Sequence, residues 1–198
     1  FETLNVGIKP YPCCGSNHTS IVALKKILRD HPEVSADKVE KIVIGASRAT
    51  KLHVGWPYEP NSMTTAQMNL LYCVAVLLHD RDFFVDQVTE ESIRRPDVQK
   101  TTKKIAVLED PAFEALGDEG RHGITLEVQL RDRTSYRETV LHAKGSDKNP
   151  MTQEEVLQKF RLLASRVLSP LRLEELEDTL LHLERLEDAK RLGELLTP

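Results

Sequence analysis

Lys9-Pro10-Tyr11-Pro12-Cys13-Cys14-Gly15-Ser16-Asn17-His18 reads as a proline-stiffened bend running directly into a helix. Pro10 and Pro12 each bias the residue before them toward extended geometry. Gly15 permits a tight turn, and Ser16 or Asn17 is placed to cap the helix. Beyond the bend Ile21, Leu24, Ile27 and Leu28 recur at helical spacing and give one buried face, until Pro32 stops the helix after His31. Before it, Asn5 to Tyr11 reads as a short strand or extended segment. One lysine, two thiols and one histidine are thereby set around a helix N-terminus, where a protein most readily holds an anion.

Working outward, the β-branched run Val39 to Ala46 predicts a strand. The stretch after it, with Trp56-Pro57-Tyr58 and Pro60, is irregular and places His53 in a loop. A single helix is predicted from about Thr64 to His79, apolar on nearly every face, as befits a helix at the centre of its domain or beneath a partner domain. One or two short helices follow, the second opening at Pro96, then a strand at Ile105 to Leu108 and a charged loop from Asp110 to Arg121. Ile124, Leu126, Val128 and Leu130 alternate with polar residues, and Asp132-Arg133-Thr134 turns the chain into Tyr136 to His142, which makes a hairpin. Thr152 and Glu155 form a capping box ahead of a helix. After Pro170, the stripe Leu173, Leu176, Leu180, Leu183 and Leu186 is expected to pack on the same domain or on a partner helix. The expected fold class is α+β: a small, mostly antiparallel sheet covered by helices, with a C-terminal helical segment, residues 1–198 forming one domain.

A chain of 198 residues, 40% hydrophobic, is long enough for one sizeable core. With 27 Lys and Arg spread among 31 acids and a net charge of −4, no basic stripe is available to bind nucleic acid. The longest apolar run, Leu70 to Leu78, is about half of a membrane span, so no membrane partner is expected. Two adjacent cysteines and one inside an apolar helix make no disulfide framework, and a reducing cytoplasm is the expected location. The chain opens at Phe1 without a signal or transit segment, as a piece of something longer would.

The motif at residues 9–18, followed by Thr19-Ser20-Ile21-Val22-Ala23-Leu24, closely resembles the one that opens the C-terminal domain of the MmgE/PrpD family. Ser62 to Ala75 resembles that family's central helix, and Lys144-Gly145-Ser146-Asp147-Lys148-Asn149-Pro150-Met151-Thr152 resembles its turn before the C-terminal helices. The resemblance implies a lyase that removes water or carbon dioxide from a small tricarboxylic acid, 2-methylcitrate or cis-aconitate, without metal or cofactor. It further implies a homodimer and a preceding all-helical domain, absent from this chain, that completes an interdomain site and without which turnover is expected to be negligible.

On that resemblance Lys9 is the carboxylate-binding cation and His18 the proton-exchanging or hydrogen-bonding residue. A fixed ammonium stabilises the charge that builds on an enediolate-like carboxylate more than it stabilises the ground state. Cys13, Cys14, Gly15 and Ser16 shape the anion pocket. The two thiols are read as small pocket-lining groups, because adjacent cysteines rarely serve one ion and three ligands fall short of a zinc site. His53 is a further substrate-binding candidate, with Lys51 its rival, and no role is assigned to the remaining histidines. Tyr72 and Cys73 are expected in the core. Two other uses of the chain stay open: a non-catalytic dimerisation domain built on the leucine stripe, and an isomerase or epimerase acting on a polycarboxylate.

Overall fold

The helix behind the bend, α1, spans Gly15–Asp30 with His31 as its C-cap, and its N-cap is Cys14. The helix starts earlier than a Ser16 or Asn17 cap would allow. The reason is what those side chains do: Ser16 contacts His53, and Asn17 donates to Gln67 O at 3.1 Å. The structure is a computed structural model that describes residues 1–197, and it divides into two compact units, Phe1–Pro150 and Met151–Pro198.

In the first unit, Val39–Ala46 forms β1 as the β-branched run predicts. Arg48–Val54 forms α2, capped by the Ser47 hydroxyl, so His53 lies in the last turn of a helix and not in a loop. The predicted long apolar helix is two helices, α3 (Met63–Met68) and α4 (Leu70–Asp80). The break is Asn69, held extended at φ −103°, ψ 118°; its side chain caps α4 by accepting from Tyr72 N and donates to Trp56 O at 2.7 Å. α5 (Pro96–Thr102) opens at the proline, and β2 (Ile105–Glu109) follows. The charged stretch after it is not merely a loop: it contains α6 (Pro111–Glu114) and a 3-10 turn at Gly117–Gly120. β3 (Ile124–Leu130) and β4 (Ser135–Val140) form the hairpin, with Arg133 at φ 74° in its turn.

The four strands run in the order β2-β1-β3-β4; β1 pairs parallel with β2 and antiparallel with β3, and β3 pairs antiparallel with β4. Alternation decides the faces. Ile42 and Ile44 of β1 and Leu126 and Val128 of β3 are fully buried with Ile21 and Leu24 of α1 and Leu70, Val74 and Leu77 of α4. On the other face Val43, Glu127 and Arg137 sit in register. The fold class is therefore α+β with a mostly antiparallel sheet. Tyr72 and Cys73 are in the core as expected.

Asn5 to Tyr11 is not a strand. A 3-10 turn at Glu2–Asn5 leads into an extended run pinned by Ile8 N donating to Gly145 O at 2.8 Å. The approach is close enough to require glycine on both sides. A Cβ on Gly145, at φ +87°, would lie 1.9 Å from Ile8 O, and one on Gly7 would lie 2.6 Å from Gly145 O.

The second unit holds α7 (Gln153–Ala164), with the predicted Thr152–Glu155 capping box, then α8 (Pro170–Leu181) and α9 (Lys190–Leu196). Leu168, Leu176 and Leu195 form its small core, and Arg161 forks onto Glu177 at 2.7 and 2.5 Å. The leucine stripe is only partly used there: Leu176 is buried, whereas Leu180 and Leu183 are exposed. No described helix is long and apolar enough to cross a membrane.

Candidate active site

The bend is locked to the core by α3. Cys14 N and Asn17 Nδ2 both donate to Gln67 O, at 3.0 and 3.1 Å, while Gln67 Nε2 donates back to Pro12 O at 2.8 Å. Side chains at the start of α1 therefore have fixed positions. His18 is 2% exposed, and the Tyr11 ring meets it edge-on with centroids 5.3 Å apart. Lys9 Nζ reaches Cys13 O at 3.5 Å, which holds the ammonium beside the bend.

Cys13 is strongly perturbed. Its thiol is pulled down to about 6, first by the hydrogen bond from Cys73, against burial, and then by the hydrogen bond and charge of His18 and the charge of Lys9. Cys73, fully buried, is pushed up by burial and by Cys13, and it accepts from Asn17 Nδ2 at 3.4 Å. One negative charge is thus favoured at Cys13 and disfavoured at Cys73.

His53 reaches the same corner from α2. Its Nδ1 lies 3.4 Å from Ser16 Oγ. Lys51, its rival on the sequence, is turned to Glu109 at 3.2 Å. The structure therefore gathers Lys9, Cys13, Cys14, Gly15, Ser16 and His18 at one end of α1 and adds His53 through a contact 37 residues away in sequence.

Sequence reading passed over the residue that closes this corner. His122 lies just ahead of β3, and three hydroxyls fix the backbone there: Thr19 Oγ1 donates to His122 O at 2.7 Å, and Ser47 Oγ and Thr50 Oγ1 each donate to Arg121 O at 2.6 Å. The His122 imidazole is held below its ordinary value by burial and by the charges of Arg121, His53 and His18. Only the sequence Arg121-His122-Gly123 at the head of an alternating strand marked it, because its partners stand 71 to 103 residues away.

Beside the Cys13 thiol the corner offers the Lys9 ammonium, the imidazoles of His18, His53 and His122 and the N-terminal end of α1, a set of donors that suits an anion with more than one acidic group. Among the described residues no group of three or more His, Cys, Asp or Glu is placed to hold a metal ion. A separate concavity of ≈ 380 Å³, lined by Gly55, Tyr58, Leu71, Lys103 and Val107 among others, contains none of these residues.

Residues 11–184 match the model of the MmgE/PrpD C-terminal domain. Among curated proteins the chain is 33% identical, over 99% of its length, to a cis-aconitate decarboxylase of Aspergillus terreus, of which it covers 41%. It is 26% identical over 97% of its length to cis-aconitate decarboxylases of Mus musculus and Homo sapiens, covering 39% and 40% of them. The chain thus spans about two-fifths of the length of these relatives.

Proposed function

This chain belongs to the MmgE/PrpD family as its C-terminal domain, and from that premise we propose that it supplies one wall of a lyase site that removes carbon dioxide, or water, from a small tricarboxylic acid. Cis-aconitate is the favoured substrate, because three of the relatives above carry its decarboxylation in their names; dehydration of 2-methylcitrate is the second reading, resting on the family alone. The remaining wall comes from a preceding helical domain, in line with relatives more than twice the length of this chain.

The observation that carries the reading is the convergence of Lys9, Ser16, His18 and His53 on one end of α1. Loss of carbon dioxide, or of the proton that precedes loss of water, leaves an electron pair that spreads onto a neighbouring carboxylate. Lys9 stabilises that developing charge, and the helix N-terminus adds to it. His18, in its buried setting, gives a proton to the carbon that carbon dioxide leaves, or, for loss of water, takes the carbon-bound proton and returns it to the departing hydroxyl. The chain's own residues use no metal or cofactor in this scheme.

In the full-length protein, Lys9→Ala is expected to lower kcat/KM for cis-aconitate on the order of 100-fold or more, and His18→Ala by roughly 100- to 10,000-fold. Both should leave the thermal midpoint within a few degrees of wild type. Turnover at the wild-type rate in both variants would reduce the bend to a structural cap.

A further inference from the structure

Among the described residues five buried side-chain atoms have no hydrogen-bond partner; apart from Ser146 Oγ they are Asn17 Oδ1, His18 Nε2 and Ser20 Oγ in the first turns of α1 and His122 Nδ1 just ahead of β3. Native interiors leave few polar atoms unpaired, and each carries a desolvation cost. Two of the four are imidazole nitrogens on different elements, and the elements are joined directly through Thr19 Oγ1 and His122 O. The position of His122 is built, because hydroxyls of the buried Thr19, Ser47 and Thr50, from α1, α2 and the cap of α2, fix the peptide groups that carry it.

The charged groups that act on His122 are Arg121, His53 and His18, all cationic or able to become so, with no acid among them. An anion is the ligand such surroundings lack. Its Nδ1 faces the interior without an acceptor, and a buried lone pair without a partner is tolerated better than a buried N–H without one. The proton therefore belongs on Nε2, the ring nitrogen of this half-buried residue that is not among the buried unpartnered atoms.

We propose that His122 is a third imidazole of the substrate site, donating Nε2–H to a carboxylate of the bound polyacid alongside His18. The proposal rests on the lyase reading above and adds to it a residue that fixes the orientation of the acid. A tricarboxylate then meets Lys9, His18 and His122 on three separate segments, which distinguishes it from a monocarboxylate able to engage only part of the set.

The test uses the full-length protein and propane-1,2,3-tricarboxylate, an inert triacid, with binding followed by calorimetry. His122→Phe is expected to raise Kd at least about tenfold, the loss of one hydrogen bond to a charged group. His122→Gln, which keeps an N–H donor, should stay within about threefold. In the wild type the His122 Nε2 resonance should shift as the triacid is added. Unchanged Kd in His122→Phe, with binding weakened by Lys9→Ala, overturns the role of His122 and leaves the lyase reading standing. Wild-type Kd in Lys9→Ala and His18→Ala as well, or no binding by the wild type, overturns both. Should His122→Phe fail to fold, the wild-type resonance decides: a shift supports the contact, and an unmoved ring overturns it.

Discussion

Cys13 shows how one residue can couple the site to stability. The Cys73 hydrogen bond holds its thiol near 6, against an ordinary 9.0. Titration followed by thiolate ultraviolet absorbance is expected to show one thiolate forming in the folded chain with a midpoint of about 6, and none there in Cys13→Ser. The folded thiol releases its proton at lower pH than the unfolded one, so its contribution to stability grows as pH rises from about 6 toward 9.0 and is lost as pH falls through about 6. The urea midpoint of the wild type should accordingly rise relative to Cys13→Ser across that window. This part of the site was legible from residues 9–18 because its members are neighbours in sequence around one helix end. His122 was not, since nothing in the local pattern records that Thr19, Ser47 and Thr50 hold its backbone from other helices.

At the scale of elements, period and composition located the strands well. Val39–Ala46 and the Ile124–Leu130 hairpin arm are where β-branching and alternation place them. The missed break between α3 and α4 has a physical cause: Asn69 stands at the head of an apolar run that continues the helical pattern, and only its cap bond from Tyr72 N and its bond to Trp56 O reveal that it is extended. Asn69→Ala removes a cap and leaves the half-buried Trp56 carbonyl without its donor, and is expected to cost about 2 kcal/mol in urea denaturation with an unchanged m-value. The break matters for the site, because Gln67, two residues before it, is the residue that ties down the bend. Likewise α2, unmarked by any strong periodicity, is the element that brings His53 to Ser16.

At the scale of the whole molecule, the placement of Lys9 depends on a partner distant in sequence. The extended run just before it is pinned to Gly145, in the turn that follows the hairpin. Gly145→Ala would place a methyl group 1.9 Å from Ile8 O and impose a side chain at φ +87°. The chain must then give way at the segment that delivers the lysine. On the lyase reading, this variant of the full-length protein is expected to lose on the order of 10- to 100-fold in kcat/KM, the effect of displacing a charged group by about an ångström, with little change in the far-ultraviolet circular dichroism. Normal turnover would show that the pin is dispensable. The two back-to-back glycines thus act as a rivet: they close a circuit of chain around the sheet and make the address of a single amine a property of the finished circuit. Damage at the rivet would register in an assay as a lost reactive group, although that group itself was never touched.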